Sequence, residues 1–310
     1  MRILAADDDP VWLRMIEAMI RQWGDEPLAA KDGRDAWEIL HGPDRPRLAI
    51  LDWVMPGMDG LDICRKLRED TDSPYVYIIL VTQRDSKEDL IRAFDAGADD
   101  YIRKPFDPDE LRARLRAAGR IMDLQDALLM AQGELQRQAT HDSLTDLLNR
   151  GAIEEMLERE LARSKRDDSS VGVLLADVDH FKKVNDTYGH AGGDDILREV
   201  TRRMLGAVRA YDLVGRYGGE ELLVILPRCD DGAAMRIAER TRQAIAGTPM
   251  RTGDREAPVT MSIGVATSRS MGTFDVDSLV AAADAALYRA KNGGRNRCEL
   301  AVPKPERQTG

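Results

Sequence analysis

The sequence predicts an α/β chain in two parts: a doubly wound parallel sheet first and, beyond a long helix, a mixed α/β part around an antiparallel central sheet. Three observations carry that expectation. From Arg2 to about Ala118 short apolar runs alternate with amphipathic stretches, the pattern of strands joined by crossover helices. From Asp107 to Thr140 no proline or glycine cap stops a helix, although Gly119 and Gly133 weaken it. Further on, strand-like and helix-like stretches surround Arg216-Tyr217-Gly218-Gly219-Glu220-Glu221-Leu222, which reads as a tight hairpin with acid at its tip. At 310 residues the chain has room for two domains that each bury a core. The expected boundaries are 1–120 and 140–300, with a helical linker at 121–139 and a tail at 301–310.

In the first part, strands are expected at Ile3 to Ala6, Leu48 to Leu51, Tyr77 to Val81 and Tyr101-Ile102. Val11 to Trp23, Leu61 to Leu67 and, more weakly, Ser86 to Phe94 carry helical spacing between them. Asp107-Pro108-Asp109-Glu110 then opens the long helix, with Asp as N-cap, Pro first and Glu third. Its length would be about 50 Å at 1.5 Å per residue. Ile121, Leu124, Leu128, Ala131 and Leu135 follow a/d spacing for two heptads, which suits a rigid linker that pairs with a second copy. In the second part, helical signals at Leu144 to Leu161 and Asp195 to Val208 enclose a strand at Val171 to Val178. Leu213-Val214 leads into the hairpin and Leu222 to Leu226 leads out, with Gly218 and Gly219 expected at positive φ. A helix at Ala233 to Ile245, a strand at Val259 to Ala266 and a helix at Val276 to Lys291 follow, and Pro303 to Gly310 reads as a frayed tail.

Composition narrows the function. A formal net charge of -10 disfavours a nucleic-acid-binding surface, which needs clustered Lys and Arg. Cys64, Cys229 and Cys298 lie far apart, so neither a disulfide framework nor a zinc site is suggested. Met1-Arg2 leads straight into an apolar strand, unlike a signal peptide, and no apolar run reaches the roughly 18 residues of a membrane helix. A soluble, cytoplasmic protein with no membrane partner is expected.

In an open α/β sheet, ligands bind at the carboxyl ends of the strands. Asp7 and Asp8, Asp52, Thr82 and Lys104 all follow expected strands. Carboxylates gathered there would repel one another unless a divalent cation sat between them, and an all-oxygen set selects Mg2+. With a free carboxylate, a hydroxyl and a lysine, such a site can accept a phosphoryl group. Asp7-Asp8, Asp52 within Leu51-Asp52-Trp53-Val54-Met55-Pro56-Gly57-Met58-Asp59-Gly60, Thr82 and Lys104-Pro105-Phe106 resemble the receiver domain of two-component response regulators over about the first 120 residues. The resemblance implies Asp52 as phosphoacceptor, with Asp7, Asp8, Asp52 and the Val54 carbonyl around Mg2+. It implies that Thr82 and Lys104 contact the phosphoryl group, that Tyr101 is an aromatic switch and that the peptide before Pro105 is cis. A sensor histidine kinase or a small phosphodonor would supply the phosphoryl group.

In the second part, the strand ending at Ala176 runs into Asp177-Val178-Asp179-His180-Phe181-Lys182-Lys183-Val184-Asn185-Asp186. If it neighbours the hairpin, Asp177 and Glu220 converge into a hard-oxygen site for Mg2+ or Mn2+ beside a triphosphate. No Gly-x-x-x-x-Gly-Lys-Ser/Thr loop exists, so metal, backbone amides and lysines must hold the phosphates. Together with the opening motif Asp142-Ser143-Leu144-Thr145-Asp146-Leu147-Leu148-Asn149-Arg150 and the closing motif Ala290-Lys291-Asn292-Gly293-Gly294-Arg295-Asn296, this set resembles the GGDEF-type diguanylate cyclase domain from about Thr140 to Leu300.

That resemblance implies Asp177, Glu220 and the Val178 carbonyl as metal ligands, with Glu221 close by and Gly218-Gly219 admitting GTP. Asn185 and Asp194 would read guanine, whose N1-H and N2-H2 edge suits a carboxylate, while Lys182, Lys291 and Arg295 would bind phosphates. Arg209-Ala210-Tyr211-Asp212 matches the family's Arg-x-x-Asp inhibitory site for product, with Arg240 as an added arginine. Leu222 stands where the family most often has Phe, a packing change at an inward-facing position. None of His41, His141, His180 and His190 is paired at metal-ligand spacing.

The implied activity is condensation of two GTP into cyclic di-guanylate and two pyrophosphates. Each domain presents one GTP, so two copies must meet across a two-fold axis in a homodimer or higher homo-oligomer. The alternative is a non-catalytic, receiver-controlled effector that binds GTP or cyclic di-guanylate. Loss of the hairpin acids would favour it, and this chain keeps them.

Overall fold

The computed structural model describes residues 1–70, 74–84 and 86–303; of the expected tail Pro303 to Gly310, all after Pro303 lies outside the described residues. The chain divides within its long helix into two compact units, Met1–Ala131 and one that begins at Gln132.

The first unit runs β1 (Arg2–Ala6), α1 (Pro10–Gln22), β2 (Glu26–Ala30), α2 (Gly33–His41), β3 (Leu48–Asp52), α3 (Gly60–Glu69), β4 (Tyr77–Thr82), α4 (Lys87–Asp95), β5 (Asp100–Arg103) and α5 (Pro108–Thr140). Its sheet has the order β2-β1-β3-β4-β5, and every pairing is parallel. Both faces are buried, which is why the strands read as unbroken apolar runs and not as alternation. Leu4 and Ala6 face one core with Leu61, Ile63 and Ile78, while Ile3 and Ala5 face another with Leu13, Ile16 and Leu111. Asp9, Asp32, Asp59 and Ser86 cap the helices that follow them through side-chain oxygens. The sequence reading missed β2 and α2: β2 is an edge strand that accommodates Pro27, and α2 buries only Gly33, Ala36 and Leu40. Beyond Met122, Leu124, Leu128, Leu129, Met130 and Leu135 of α5 are exposed.

The second unit continues with α6 (Arg150–Arg166), β6 (Gly172–Val178), α7 (Phe181–Ala207), β7 (Leu213–Arg216), β8 (Glu221–Leu226), α8 (Asp231–Ala246), β9 (Met250–Thr252), β10 (Arg255–Ala257), β11 (Met261–Thr267), α9 (Ser268–Met271), α10 (Val276–Asn292) and β12 (Cys298–Leu300). The sheet order is β12-β11-β6-β8-β7; its central pairs are antiparallel, and β12 joins β11 in parallel. One face packs with α7 and α8 around Leu174, Leu222 and Ile263, the other with α6 and α10 around Leu175, Leu223 and Leu287. Leu222 points into the core, 1% exposed, as expected.

Two expected helices have different bounds. α6 starts at Arg150 because Asp142 and Asn149 turn residues 142–149 first. Asp142 accepts from the Leu144 and Thr145 amides and the Thr145 hydroxyl, and Asn149 caps the Ala152 amide. α7 starts at Phe181, fourteen residues before the expected Asp195, and carries a kink at Gly189 (φ 74) that interrupts helical periodicity. The β9–β10 pair and β12, three residues per strand, carry too little pattern to be read.

Candidate functional site

Two sites form, one in each unit. In the first, the carboxyl ends of β1, β3, β4 and β5 converge on a cleft of about 500 Å3 lined by Asp7, Asp8, Asp52, Thr82, Arg84 and Lys104, among others. Asp7, Asp8 and Asp52 each offer an oxygen, and these lie within 4.8 Å of one another. Among the described residues this is the one acidic group that closes so tightly. Lys104 Nζ reaches Asp7 at 2.6 Å and Asp52 at 2.7 Å. Burial raises the pKa of the Asp52 carboxyl despite Lys104 beside it. Burial also works against the Lys104 ammonium, but hydrogen bonds to Asp52 and Asp7 outweigh it and the lysine pKa is raised. Three acids crowded against one lysine leave room for further positive charge, so the donor set fits a hard cation.

The remaining residues expected at this site, the metal-ligand candidate Val54 and the switch candidates Thr82 and Tyr101, make the following contacts. Val54 is exposed, and its amide donates to Asp52 at 3.2 Å. The Thr82 hydroxyl accepts from the Arg84 amide at 3.1 Å, and the Tyr101 hydroxyl donates to the Arg84 carbonyl. The Lys104-Pro105 peptide is cis, as expected.

In the second unit, the antiparallel pairing of β6 and β8 sets Asp177 opposite Glu221, and the Val178 amide donates to the Glu220 carbonyl at 3.3 Å. Asp177 is buried, and Lys291 at the end of α10 reaches it at 2.8 Å. Burial raises the Asp177 pKa, opposed by Lys291 and Arg295. Burial and the Asp177 charge raise that of Glu221. Two carboxyls pushed in the same direction make a place where a cation is favourable.

Gly218 and Gly219 differ from expectation, because neither adopts positive φ. Space is what the turn requires. A Cβ on Gly218 would come within 2.5 Å of Glu221 Oε2, whereas one on Gly219 would meet nothing within 4 Å. Gly218 therefore makes room for the Glu221 carboxylate, and Gly219 faces open space beside it.

α7 carries Lys182, Asn185 and Asp194 of the remaining residues expected around a nucleotide. Lys182 is exposed on its first turn, and Asn185 and Asp194 lie on either side of the Gly189 kink. A Cβ on Gly193 would come within 1.9 Å of Asn185 Oδ1, so that glycine lets the amide pack across the kink. Arg295 is exposed in the turn after α10. The expected inhibitory residues form a separate group. The Arg209 amide donates to Asp212 at 2.7 Å, and Arg240 Nε donates to the Ala207 carbonyl at 2.6 Å. Among the described residues Asp212 Oδ1 is buried without a hydrogen-bond partner, and burial raises this carboxyl's pKa against the pull of Arg209 and Arg240.

Sequence reasoning passed over two residues. Arg216 donates through Nε and Nη2 to the Gly219 carbonyl at 3.1 and 2.7 Å and through Nη1 to both Asp142 oxygens at 2.9 and 3.1 Å, binding the hairpin tip to the opening turn. Asp179, second in Asp177-x-Asp179, is buried and accepts from Thr260, Ser262 and Asn296.

Comparison with known proteins agrees with this division. The family model described as "Diguanylate cyclase, GGDEF domain" matches residues 139–297, and that described as "Response regulator receiver domain" matches residues 3–116. The response regulator PleD of Caulobacter vibrioides is 33% identical over 95% of this chain and 64% of its own length. Diguanylate cyclase DosC of Escherichia coli is 40% identical over 51% of this chain and 34% of its own. The chain thus spans less than two thirds of either relative. Among solved structures, the coiled coil and GGDEF domain of DgcB from Caulobacter crescentus, in complex with c-di-GMP, aligns with a TM-score of 0.54 at 32% identity, covering 62% of this chain and 99% of that one. Diguanylate cyclase SiaD from Pseudomonas aeruginosa, in complex with its activator SiaC, aligns with a TM-score of 0.51 at 40% identity, covering 62% of this chain and 74% of that one. Among the described residues, no helix is long and apolar enough to cross a membrane.

Proposed function

Because the chain belongs to the diguanylate cyclase GGDEF-domain family, we propose that it is a cytoplasmic, phosphorylation-regulated diguanylate cyclase. It condenses two GTP into cyclic di-guanylate and two pyrophosphates, as a homodimer or higher homo-oligomer. The observation that carries this reading is the β6–β8 register: it pairs Asp177 with Glu221 beside the glycine turn, with Lys291 2.8 Å from Asp177.

In this reading Asp177, Glu220 and the Val178 carbonyl hold Mg2+ or Mn2+, and Asp7, Asp8, Asp52 and the Val54 carbonyl hold Mg2+ in the first unit. A cation held there would supply Lewis-acid stabilisation for charge that develops on the phosphates in transfer. Asn185 and Asp194 hold the guanine, while Lys182, Lys291 and Arg295 hold phosphates. The 3′-hydroxyl of one GTP attacks the α-phosphorus of the other. The new P–O bond forms as the bond to pyrophosphate breaks, twice per product. Glu221, half-buried with a raised pKa, is suited to take the hydroxyl proton. The partner GTP must come from a second copy, so activity follows dimer geometry, and the exposed apolar residues of α5 suit that pairing.

Phosphorylation of Asp52 by a sensor histidine kinase or a small phosphodonor shifts that geometry through Thr82, Tyr101 and Lys104, at a coupling of about 1–3 kcal/mol. The group of Arg209, Asp212 and Arg240, with its unpartnered carboxylate oxygen, suits feedback by the guanine-bearing product. The test is incubation of purified protein with GTP and Mg2+, with and without a small phosphodonor, followed by chromatography of the nucleotides. Cyclic di-guanylate is expected, and its absence under both conditions sinks the enzyme reading. GTP retained without turnover supports the effector reading, and full turnover by Glu220→Ala removes Glu220 from the metal site.

A further inference from the structure

Asp179 is 5% exposed and ties together three segments distant in sequence. Its amide donates to the Thr260 carbonyl at 2.9 Å. Its Oδ2 accepts from the Thr260 hydroxyl at 2.7 Å and from the Asn296 amide at 3.0 Å, and its Oδ1 accepts from the Ser262 hydroxyl at 2.6 Å. The carboxylate therefore joins the end of β6, the start of β11 and the turn between α10 and β12. That turn is locally unfavourable, since Arg295 (φ 63) and Asn296 (φ 46) both sit in the left-handed region that L side chains seldom adopt. The surrounding bonds hold it there. The Arg295 amide donates to Ala290 at 3.0 Å, Arg242 donates to the Asn296 side chain at 2.6 Å, and the Ile263 amide donates to the Arg297 carbonyl at 3.0 Å. Of these, only the Asp179 bond links the turn to the β6 end that carries Asp177.

We infer that Asp179 is a positioning residue that fixes Arg295 relative to Asp177 and Val178, and so sets the phosphate-binding geometry; this rests on the cyclase reading above. Acceptor geometry, not charge, is its contribution. The three donors need an acceptor-rich group, and a carboxylate supplies one. An asparagine keeps one oxygen for Thr260 and Asn296 while its amide donates to the Ser262 hydroxyl.

The test compares Asp179→Ala, Asp179→Asn and Arg295→Ala in the full chain. Asp179→Ala is expected to raise the KM for GTP about tenfold to a hundredfold, as Arg295→Ala does, through loss of a charge-assisted phosphate contact. The double variant is expected to be no worse than Arg295→Ala alone. Asp179→Asn is expected to stay within about threefold of wild type, less than half a decade of affinity. Hydrogen exchange across residues 293–297 is expected to speed up in Asp179→Ala and to return in Asp179→Asn. Additive effects, an asparagine variant as impaired as the alanine one, or unchanged exchange would each overturn the inference. If Asp179→Ala does not fold, Asp179→Ser enters the same comparison. A wild-type protein that neither retains nor turns over GTP refutes the cyclase reading instead, and the exchange measurement still decides the placement of the turn.

Discussion

Arg216→Ala tests how the hairpin tip is held. The guanidinium makes two hydrogen bonds to the Gly219 carbonyl and a forked pair to Asp142, with side-chain exposures of 18% for Arg216 and 21% for Asp142. Removing it does not strip Asp142, which keeps the Thr145 hydroxyl at 2.7 Å and the Thr145 and Leu144 amides at 2.9 and 3.2 Å. The stability loss should therefore be that of one charge-assisted interaction, about 1.5–3 kcal/mol. For a unit of this size that lowers Tm by roughly 3–12 °C. With about 5–15 kcal/mol of initial stability, nearly all molecules stay folded at 25 °C. Turnover should fall much further, because the tip beside Glu220 loses its guanidinium tie to Asp142 and keeps only backbone bonds, and a shift of about 1 Å in a reacting group costs about a hundredfold. The assay is initial-rate production of cyclic di-guanylate at saturating GTP, beside thermal unfolding of the same preparation. Arg216→Lys should recover little, since one ammonium cannot span carbonyl and carboxylate as the fork does. A kcat for Arg216→Ala within threefold of wild type would refute the clamp.

Three further outcomes are expected. Lys104→Met should destabilise the first unit by about 3–5 kcal/mol in metal-free buffer, because it leaves buried Asp7 and Asp52 unpaired, and Mg2+ should restore part of the loss in denaturant titrations; unchanged metal-free stability refutes the pairing. Trp53, buried beside Asp52 with Arg84 5.4 Å from its ring, and Trp12, 5.4 Å from Lys104 Nζ, should change fluorescence on addition of Mg2+ and a phosphoryl mimic. A response that survives Asp52→Ala would place the effect elsewhere. Arg209→Ala should relieve product inhibition at similar initial rates, and Asp212→Asn should relieve it while raising Tm at neutral pH. The sign follows from burial: the folded-state pKa of Asp212 is raised, so the folded protein binds more protons and this group's contribution grows as pH falls through the window above the ordinary carboxylate value. Asp212→Asn should lack that dependence, and a lowered Tm would count against it.

Much of the fold was legible because its signals are local. Strands of the first unit buried on both faces leave unbroken apolar runs such as Tyr77 to Val81, and Asp107 before Pro108 announces α5 without reference to the rest of the chain. The misses depended on partners. β2 is stabilised by pairing with β1 along an edge, and its Glu-Pro-Leu-Ala-Ala text has little strand character alone. The sequence predicts a shorter α7 because Gly189, Gly192 and Gly193 resemble a loop, yet the latter two are buried where a Cβ would strike Tyr188 and Asn185. Those glycines mark close packing of the helix, a property invisible to periodicity.

The candidate site shows the same division at finer grain. Side chains suited to touch a ligand stood out because adjacent acids and glycines are costly unless something uses them: Asp7-Asp8, Asp177 and Gly218-Gly219-Glu220-Glu221. Those that aim the ligand-touching groups did not, because an arginine before a turn or an aspartate after a strand is ordinary text. Arg216 and Asp179 acquire meaning only from distant partners, Asp142 in one case and Thr260, Ser262 and Asn296 in the other. The glycine pair illustrates both sides. Positive φ was the local reason to expect it, whereas the structure uses Gly218 to seat the Glu221 carboxylate and Gly219 to leave open space. Substitution at Gly218 should therefore act through displacement of Glu221 and not through backbone strain. Gly218→Ala should impair turnover about as Glu221→Ala does, with little loss of stability.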